Sequence, residues 1–258
     1  MAEIELLTPD SPAAATSAFG DGTDVTVIGG GTIVMPLVTH GWIRPTRALL
    51  LAGAGLDTVT VENGTVTVGA MTPIAALTEM TDPVGACAAN IADVEIRSQG
   101  TVGGNLCAVA PPEHPTGDLQ AALIAVDAVV RSAGAGGERE EPVEDFLADP
   151  DNRLLLGVTF DEPSAGAFDS LDRPHAPHPT PLSVSGARVA DGSVRLAATG
   201  GGPTAVRLRA AEAHAGDLEA AGVAALDDVV LVDDAVASAW YRERILPLLV
   251  RSVLTQLG

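Results

Sequence analysis

The chain contains no lysine, although its 258 residues include 14 arginines and 34 acidic residues. A phosphate-binding P-loop requires a lysine, so that class of nucleotide site is excluded. The formal net charge of −20 excludes a nucleic-acid partner, because a phosphate backbone attracts clustered basic side chains. The lack of lysine and the excess of acidic residues therefore exclude P-loop proteins and nucleic-acid-binding proteins.

Cysteine is almost as scarce, with only Cys87 and Cys107 in the chain. Two cysteines without a C-x-x-C pattern cannot ligate an ordinary four-cysteine iron–sulfur cluster, so any such cluster belongs to a partner. We expect both thiols to be small buried groups in a reducing compartment. The histidines at 114, 175 and 178 lack acidic or cysteine ligands at metal-site spacing, and no metal site is predicted.

Long apolar runs are also missing. No stretch approaches the roughly 18 apolar residues of a membrane-spanning helix, and the acidic N-terminus lacks the basic region of an export signal. A cytoplasmic protein without a membrane span is therefore expected. The apolar fraction of 47% over this length is enough for one large domain or two to three small ones.

Glycine, by contrast, is concentrated in two clusters that predict a nucleotide site. Residues 29–32 (G-G-G-T) follow an expected strand at 25–28 and precede a helix that Thr32 would cap. Residues 96–105 (I-R-S-Q-G-T-V-G-G-N) form the second cluster. Glycine lets the backbone approach a ligand, and each loop can present N–H donors, so two such loops can hold one diphosphate. The first cluster does not match the Rossmann pattern G-x-G-x-x-G.

The remaining pattern indicates a mixed α+β fold. Asn63 and Gly64 predict a tight hairpin between two short strands, and residues 119–126 predict a helix that begins near Asp118. Strands at 182–189 and 194–198 are joined at a second turn, which gives the later half antiparallel character. Two roles stay open for Arg97, which either binds phosphate or braces its own turn.

Residues 96–105, followed by Asp118 and Leu119, resemble the FAD-binding medium subunit of the molybdenum hydroxylases. That family includes the medium subunits of xanthine dehydrogenase and carbon monoxide dehydrogenase. Residues 30–32 (G-G-T), 68–72 (V-G-A-M-T), 143–146 (V-E-D-F) and 239–242 (A-W-Y-R) are similar to further family segments. The resemblance covers nearly the whole chain.

The resemblance implies a two-part α/β FAD-binding domain of the vanillyl-alcohol-oxidase type, followed by a smaller C-terminal domain of antiparallel sheet and helices. On this reading the FAD-binding domain is residues 1–162, with parts at about 1–52 and 53–162, and the second domain is residues 163–258. FAD would be bound non-covalently, with its diphosphate on both glycine loops, Asp118 at the nucleotide end and Leu155 near the flavin or adenine. The implied FAD-binding residues are Val27, Ile28, Gly29, Gly30, Gly31, Thr32, Ile33, Thr72, Thr101, Gly103, Gly104, Asn105, Asp118 and Leu155.

The resemblance also implies an electron-transfer role in a heterotrimer. FAD would accept electrons from a 2Fe-2S small subunit and pass them to NAD, a quinone or oxygen, while a large subunit with the molybdenum cofactor oxidises the substrate. Ile33 stands where the family often carries an acidic residue, which motivates the alternative of a scaffold subunit without productive FAD. A stand-alone flavin oxidase is a third hypothesis.

Overall fold

The computed structural model of the chain describes residues 4–108, 117–149, 152–171 and 180–258. The histidines at 114, 175 and 178 lie outside the described residues. In the described part, three sheets and the helices around them follow one another along the chain. This arrangement confirms the predicted α+β fold.

The first sheet is parallel and has the strand order β1-β3-β2. Helix α1 begins at a proline and is capped by Ser11, whose hydroxyl oxygen accepts the N–H of Ala14. The predicted Thr32 cap is wrong, because α2 begins two residues later and is preceded by helical Ile33 without a side-chain cap. The elements of this part are β1 (Glu5–Leu7), α1 (Pro12–Phe19), β2 (Val25–Ile28), α2 (Val34–Thr39) and β3 (Arg47–Leu50).

The second sheet is antiparallel, with the strand order β4-β5-β8-β6-β7. Its strands are β4 (Val59–Glu62), β5 (Thr65–Gly69), β6 (Val129–Gly134), β7 (Gly137–Pro142) and β8 (Leu154–Asp161). Asn63 and Gly64 have φ angles of 54° and 86°, the left-handed values that a two-residue hairpin turn requires. The predicted hairpin is confirmed.

Short helices cover this sheet and contribute to the largest hydrophobic core. They are a 3-10 turn (Ile74–Leu77), α3 (Val84–Asn90), α4 (Val94–Gln99), α5 (Val102–Leu106), α6 (Leu119–Ala125) and α7 (Val143–Ala148). Every residue of α6 is buried, and Leu119 and Leu123 belong to the same core as Phe146 and Val158. The predicted helix at 119–126 is therefore present as a central buried helix.

The third sheet is antiparallel, with the order β12-β11-β10-β9, and it packs between α6 and the C-terminal helix. The long helix α10 begins after Ser238, whose hydroxyl caps the N–H of Tyr241, and it runs through Pro247. These elements are β9 (Ala165–Ser170), β10 (Ser183–Arg188), β11 (Val194–Thr199), β12 (Val206–Arg207), α8 (Arg209–Glu212), α9 (Leu218–Ala224), a 3-10 turn (Ala225–Asp228) and α10 (Ala239–Leu257).

The side chain of Gln120 connects three segments of the fold. Its amide nitrogen donates to the carbonyl oxygens of Leu106 and Ala108 at 2.9 and 3.0 Å, and its amide oxygen accepts the N–H of Ala205 at 2.9 Å. The side chain is almost completely buried, so these bonds are shielded from water. One residue of α6 thus ties the end of α5 to the loop before β12. Among the described helices, none is both long and apolar enough to cross a bilayer.

Candidate functional site

A cavity of about 700 Å³ opens between the first and second sheets. This volume lies within the ~300–1,000 Å³ that is typical of small-molecule sites. All the predicted binding residues line it except Ile28 and Thr72. The predicted residues in the wall are Val27, Gly29, Gly30, Gly31, Thr32, Ile33, Thr101, Gly103, Gly104, Asn105, Asp118 and Leu155. The fold therefore brings together the two glycine clusters, which are about seventy residues apart in sequence.

Ile28 and Thr72 lie behind this wall and hold it in place. The carbonyl oxygen of Ile28 accepts the N–H of Leu51 at 3.1 Å, which continues the ladder between β2 and β3. The Thr72 side chain is buried and donates its hydroxyl to the carbonyl oxygen of Thr58 at 3.4 Å. Both residues support the cavity without lining it.

The first glycine loop, residues 29–33, presents unpaired backbone donors. Within the described residues, the N–H groups of Gly30, Gly31, Thr32 and Ile33 donate no hydrogen bond to another protein group. Gly31 has a φ of +74°, which L side chains rarely adopt. The backbone thus turns at the end of β2 and leaves several N–H groups available to an anion, as in a backbone nest.

The two loops touch each other at Gly30. A Cβ atom built at this position would overlap the carbonyl oxygen of Gln99 and lie 3.1 Å from the Cα of Gly100. Gly29 is similarly close to the second loop, because its Cβ would lie 2.9 Å from the Thr101 hydroxyl. Glycine is required here by the contact between the loops, independently of any ligand.

The second glycine loop, residues 100–105, uses its N–H groups internally. The N–H groups of residues 102–105 donate to Thr72 O at 3.0 Å, to Ala70 O at 2.8 Å, to Thr101 Oγ1 at 3.1 Å and to Thr101 O at 2.9 Å. Thr101 is therefore the N-cap of α5. This loop leaves mainly its side chains, not these N–H groups, to contact a ligand.

Asn105 contributes to the same support. Its side-chain oxygen accepts the N–H of Leu119, the first residue of α6, at 2.9 Å in a buried position. A buried N–H without a partner costs free energy, so this bond fixes α5 against α6. The other face of Asn105 lines the cavity.

Asp118 is the acidic group of the cavity wall. Its backbone is helical, and its side chain makes no capping hydrogen bond to α6. Its carbonyl oxygen accepts the Cys87 thiol at 3.3 Å and the Thr199 hydroxyl at 3.4 Å, which ties it to α3 and β11. Burial raises the pKa of Asp118 to about 7. The carboxyl is thus held where a hydrogen-bonding ligand would stabilise its charge.

The structure resolves the two roles left open for Arg97. Its guanidinium donates to the carbonyl oxygens of Ile91 and Ala92 at 2.7 and 2.8 Å. Ala92 has a φ of 45°, so Arg97 braces a strained turn at the start of α4. Arg97 also does not line the cavity.

Among the lining residues that were not predicted as part of the site, two carry titratable side chains, namely Arg153 and Cys107. Arg153 pairs with Glu141, donates to the Ser132 hydroxyl at 2.6 Å, and lies over the Phe146 ring at 4.8 Å from its centre. Burial lowers the pKa of this guanidinium. Arg153 belongs to no local motif, and its place in the wall depends on its contacts with Glu141 and Ser132. Cys107 lies just beyond the motif that ends at Asn105.

The expectation that both cysteines are buried holds only for Cys87. Cys87 is completely buried in α3, and burial raises the pKa of its thiol, so it is unreactive. Cys107 is exposed, because it follows the last turn of α5 at the wall of the open cavity. Within the described ranges, no cluster of three or more histidine, cysteine or acidic side chains is placed to hold a metal ion.

Comparisons with known proteins identify the family. Residues 2–160 match the model described as the FAD binding domain in molybdopterin dehydrogenase. The chain is 26% identical over 281 residues to the 6-hydroxypseudooxynicotine dehydrogenase complex subunit alpha of Paenarthrobacter nicotinovorans, covering 98% of this chain and 94% of that one. It is also 26% identical over 226 residues to the carbon monoxide dehydrogenase medium chain of Hydrogenophaga pseudoflava, covering 79% and 77%.

A solved structure agrees with these relatives. Carbon monoxide dehydrogenase from Hydrogenophaga pseudoflava, in a form that lacks the Mo-pyranopterin moiety of the molybdenum cofactor, superimposes with a TM-score of 0.86 at 25% identity. The match covers 99% of this chain and 97% of the other. The family model spans both glycine loops, Asp118 and Leu155, which are the residues that form the cavity. The chain therefore belongs to the family of FAD-binding domains in molybdopterin dehydrogenases.

Proposed function

We propose that this chain is the FAD-binding electron-transfer subunit of a molybdenum hydroxylase and that FAD occupies the cavity between the two glycine loops. One observation carries the proposal: the N–H groups of Gly30 to Ile33 have no acceptor in the described structure, and these residues line the cavity, which favours an anion at this wall. A diphosphate supplies such an anion, and oriented backbone donors bind it despite the net charge of −20, because distant surface charge is screened.

The cavity wall suggests how FAD lies. The first loop would donate N–H groups to the diphosphate, while Thr101, Gly104 and Asn105 would close over it from the second loop. The Asp118 carboxylate would accept hydrogen bonds from hydroxyl groups at the nucleotide end, and Leu155 would pack on a ring of the cofactor. The other residues proposed to contact FAD are Val27, Gly29 and Gly103, which line the same wall.

When bound, FAD supplies the redox chemistry, and the protein supplies binding, orientation and electrostatics. Among the described lining residues, the titratable side chains are Cys107, Asp118 and Arg153, and Arg153 is already paired with Glu141. The wall thus offers little acid–base chemistry of its own. This composition fits a site that holds a cofactor for electron transfer.

The proposal includes the partners of the chain. An iron–sulfur small subunit would deliver electrons to FAD, and a large subunit with the molybdenum cofactor would bind and oxidise the substrate. The chain's two cysteines cannot hold a cluster of the ordinary kind, which supports a separate iron–sulfur subunit. We further propose a cytoplasmic location, supported by two free thiols, and a division into residues 1–162 and 163–258, supported by the third sheet beginning at Ala165.

The test is the flavin content of the purified complex together with a titration of the isolated chain. We expect close to one FAD per chain in the complex, and binding of FAD roughly tenfold or more tighter than FMN, because FMN lacks the diphosphate. An intact complex without flavin would favour the scaffold alternative. Reduction of the flavin by a substrate in the isolated chain would instead favour a stand-alone oxidase.

A further inference from the structure

Helix α2 is composed of apolar residues but has no buried residue. Its sequence is V-M-P-L-V-T over Val34–Thr39, and none of these side chains is buried. Met35 is 46% exposed, and Trp42, three residues after the helix, is 60% exposed. We call the exposed residues Met35, Pro36 and Trp42 the α2 face. An exposed apolar cluster of this kind is typical of a protein–protein contact surface.

The charge of the surrounding sequence differs from that of the rest of the chain. No aspartate or glutamate occurs between Asp24 and Asp57, although the chain contains 34 acidic residues. The charged residues of this stretch are instead Arg44 and Arg47, and Arg47 pairs with Glu5 at 2.9 Å. His40 lies beside Trp42, with ring centres 5.5 Å apart. The segment that carries the α2 face therefore contributes arginine but no acidic side chain to a strongly acidic protein.

The helix that carries the α2 face begins at the cavity. Ile33 and Val34, the residues at the start of the helix, line the cavity wall. A protein that covers the helix would consequently lie beside the proposed FAD site. By contrast, Val223 is 65% exposed on α9, and α9 contributes no residue to the described cavity wall.

We propose that the α2 face is the docking surface for the iron–sulfur subunit, an inference that rests on the proposed function. Electron transfer slows steeply with distance, so the subunit that donates electrons to FAD must bind beside the cavity and not on a remote face. The complementary surface would be apolar at its centre and acidic at its rim, opposite Arg44. Electrostatic complementarity of this kind sets the partner and its orientation.

The test uses the complete complex, produced with all its subunits and purified through a tag on this chain. In the variant Met35→Glu/Trp42→Glu, we expect the ratio of iron–sulfur subunit to this chain to fall roughly tenfold or more, as for central contact residues. The single variant Arg44→Glu should weaken the same contact less and make it less sensitive to salt. The matched control is Val223→Glu, which places the same charge on an exposed apolar position of another helix.

The flavin content of the isolated variant chain separates this inference from the proposed function. We expect both α2 variants to bind FAD as the unmodified chain does. Retention of the iron–sulfur subunit by the double variant would overturn the inference, as would loss of only the molybdenum subunit, an equal loss in Val223→Glu, or self-association of the chain through this face. Loss of FAD by the isolated double variant would also overturn it. Absence of FAD from the unmodified chain would instead contradict the proposed function.

Discussion

The two glycine loops look alike in sequence but have different tasks in the fold. The first loop leaves the N–H groups of Gly30 to Ile33 without acceptors in the described structure, whereas the second pairs those of residues 102–105 with protein oxygens. The first loop therefore has N–H donors available to bind an anion, whereas the second loop has these N–H groups already bonded within the protein. Glycine content alone does not distinguish a ligand-binding loop from a loop that only permits close packing.

Their contact makes the two tasks dependent on each other. Gly30 lies directly against the carbonyl oxygen of Gln99. The N–H donors of the first loop are therefore positioned by the backbone segment that immediately precedes the second loop. The second loop is in turn fixed by Thr101, which caps α5, and by Asn105, whose side-chain oxygen accepts the N–H of Leu119 at the start of α6. A substitution that shifts the second loop should consequently weaken FAD binding, because it also moves the N–H donors of the first loop.

Breaking the contact between the loops should have the largest effect. The variant Gly30→Val places side-chain carbon where Gln99 has its carbonyl oxygen, so the loops must separate. We expect FAD binding to be lost and the free energy of unfolding to fall by about 1–3 kcal/mol, the usual cost of overpacking. Flavin absorbance and urea unfolding measure both. Gly136→Val is the control, because its Cβ would meet no atom within 4 Å; unchanged FAD affinity in Gly30→Val would contradict the model.

Hydrogen exchange tests the difference between the loops directly. In the chain without FAD, N–H groups of residues 30–33 should exchange rapidly, and those of residues 102–105 slowly, because only the latter are bonded. Addition of FAD should slow exchange by roughly tenfold or more in the first loop and change the second little. Equal protection of both loops before FAD is added would show that the comparison is wrong.

The carboxyl group of Asp118 at the cavity wall should make the free energy of unfolding depend on pH. The pKa of Asp118 in the folded chain, about 7, lies above its ordinary value of 3.8, so the native state holds this proton more tightly than the unfolded state. Its contribution to the stability of the FAD-free chain is thus complete below about pH 4 and is lost as the pH rises towards 7. Asp118→Asn should remove this part of the slope in unfolding curves measured across that range. An identical slope in both proteins would rule out the linkage.

Removal of the bond between α5 and α6 should have a smaller effect. Asn105→Ala leaves the buried N–H of Leu119 without an acceptor, and we expect a loss of about 1–3 kcal/mol in the free energy of unfolding. Asn105→Asp keeps an acceptor but adds negative charge beside the diphosphate, so it should retain more stability than alanine while binding FAD weakly. If the alanine variant lost FAD with no change in stability, Asn105 would act only on the ligand.

The smallest effect should follow from removal of the cap on α5. Thr101→Ala deletes the acceptor for the N–H of Gly104, which typically costs about 1 kcal/mol. Thr101→Ser keeps that oxygen and should recover most of the stability. A serine variant as unstable as the alanine variant would show that the threonine methyl group, and not the cap, is what matters.

Local patterns predicted the local structure well. Asn63 and Gly64 form the expected turn, and the strand at 25–28 and the helix after Asp118 occur where their patterns indicate. The family motifs also located the two glycine loops of the cavity wall, because these loops carry the motifs, and nearly all of the predicted residues line the cavity. The sequence did not decide between the two roles of Arg97, which bonds to Ile91. It also missed the place of Arg153, which pairs with Glu141, and the later start of α2.

The failure at Thr32 has a simple physical reason. A threonine before an apolar run favours a helix cap only if the backbone there is extended, and here the turn at Gly31 continues into helical Ile33. The exposure of α2 could not be predicted either, because an apolar helix is normally expected to be buried. Whether such a helix packs against its own chain or against another chain depends on residues that are far from it in sequence.

The Gln120 side chain sets an order of events during synthesis. Its amide oxygen bonds to Ala205, and Asp118 beside it is bonded through Thr199, so residues far towards the C-terminus complete the surroundings of the nucleotide end. A ribosome will have made most of the chain before these bonds can form. The growing polypeptide would then have both glycine loops long before it has a finished pocket. The pocket is consequently complete only in a chain that extends past Ala205, and we expect a chain that ends before this residue to bind FAD less tightly.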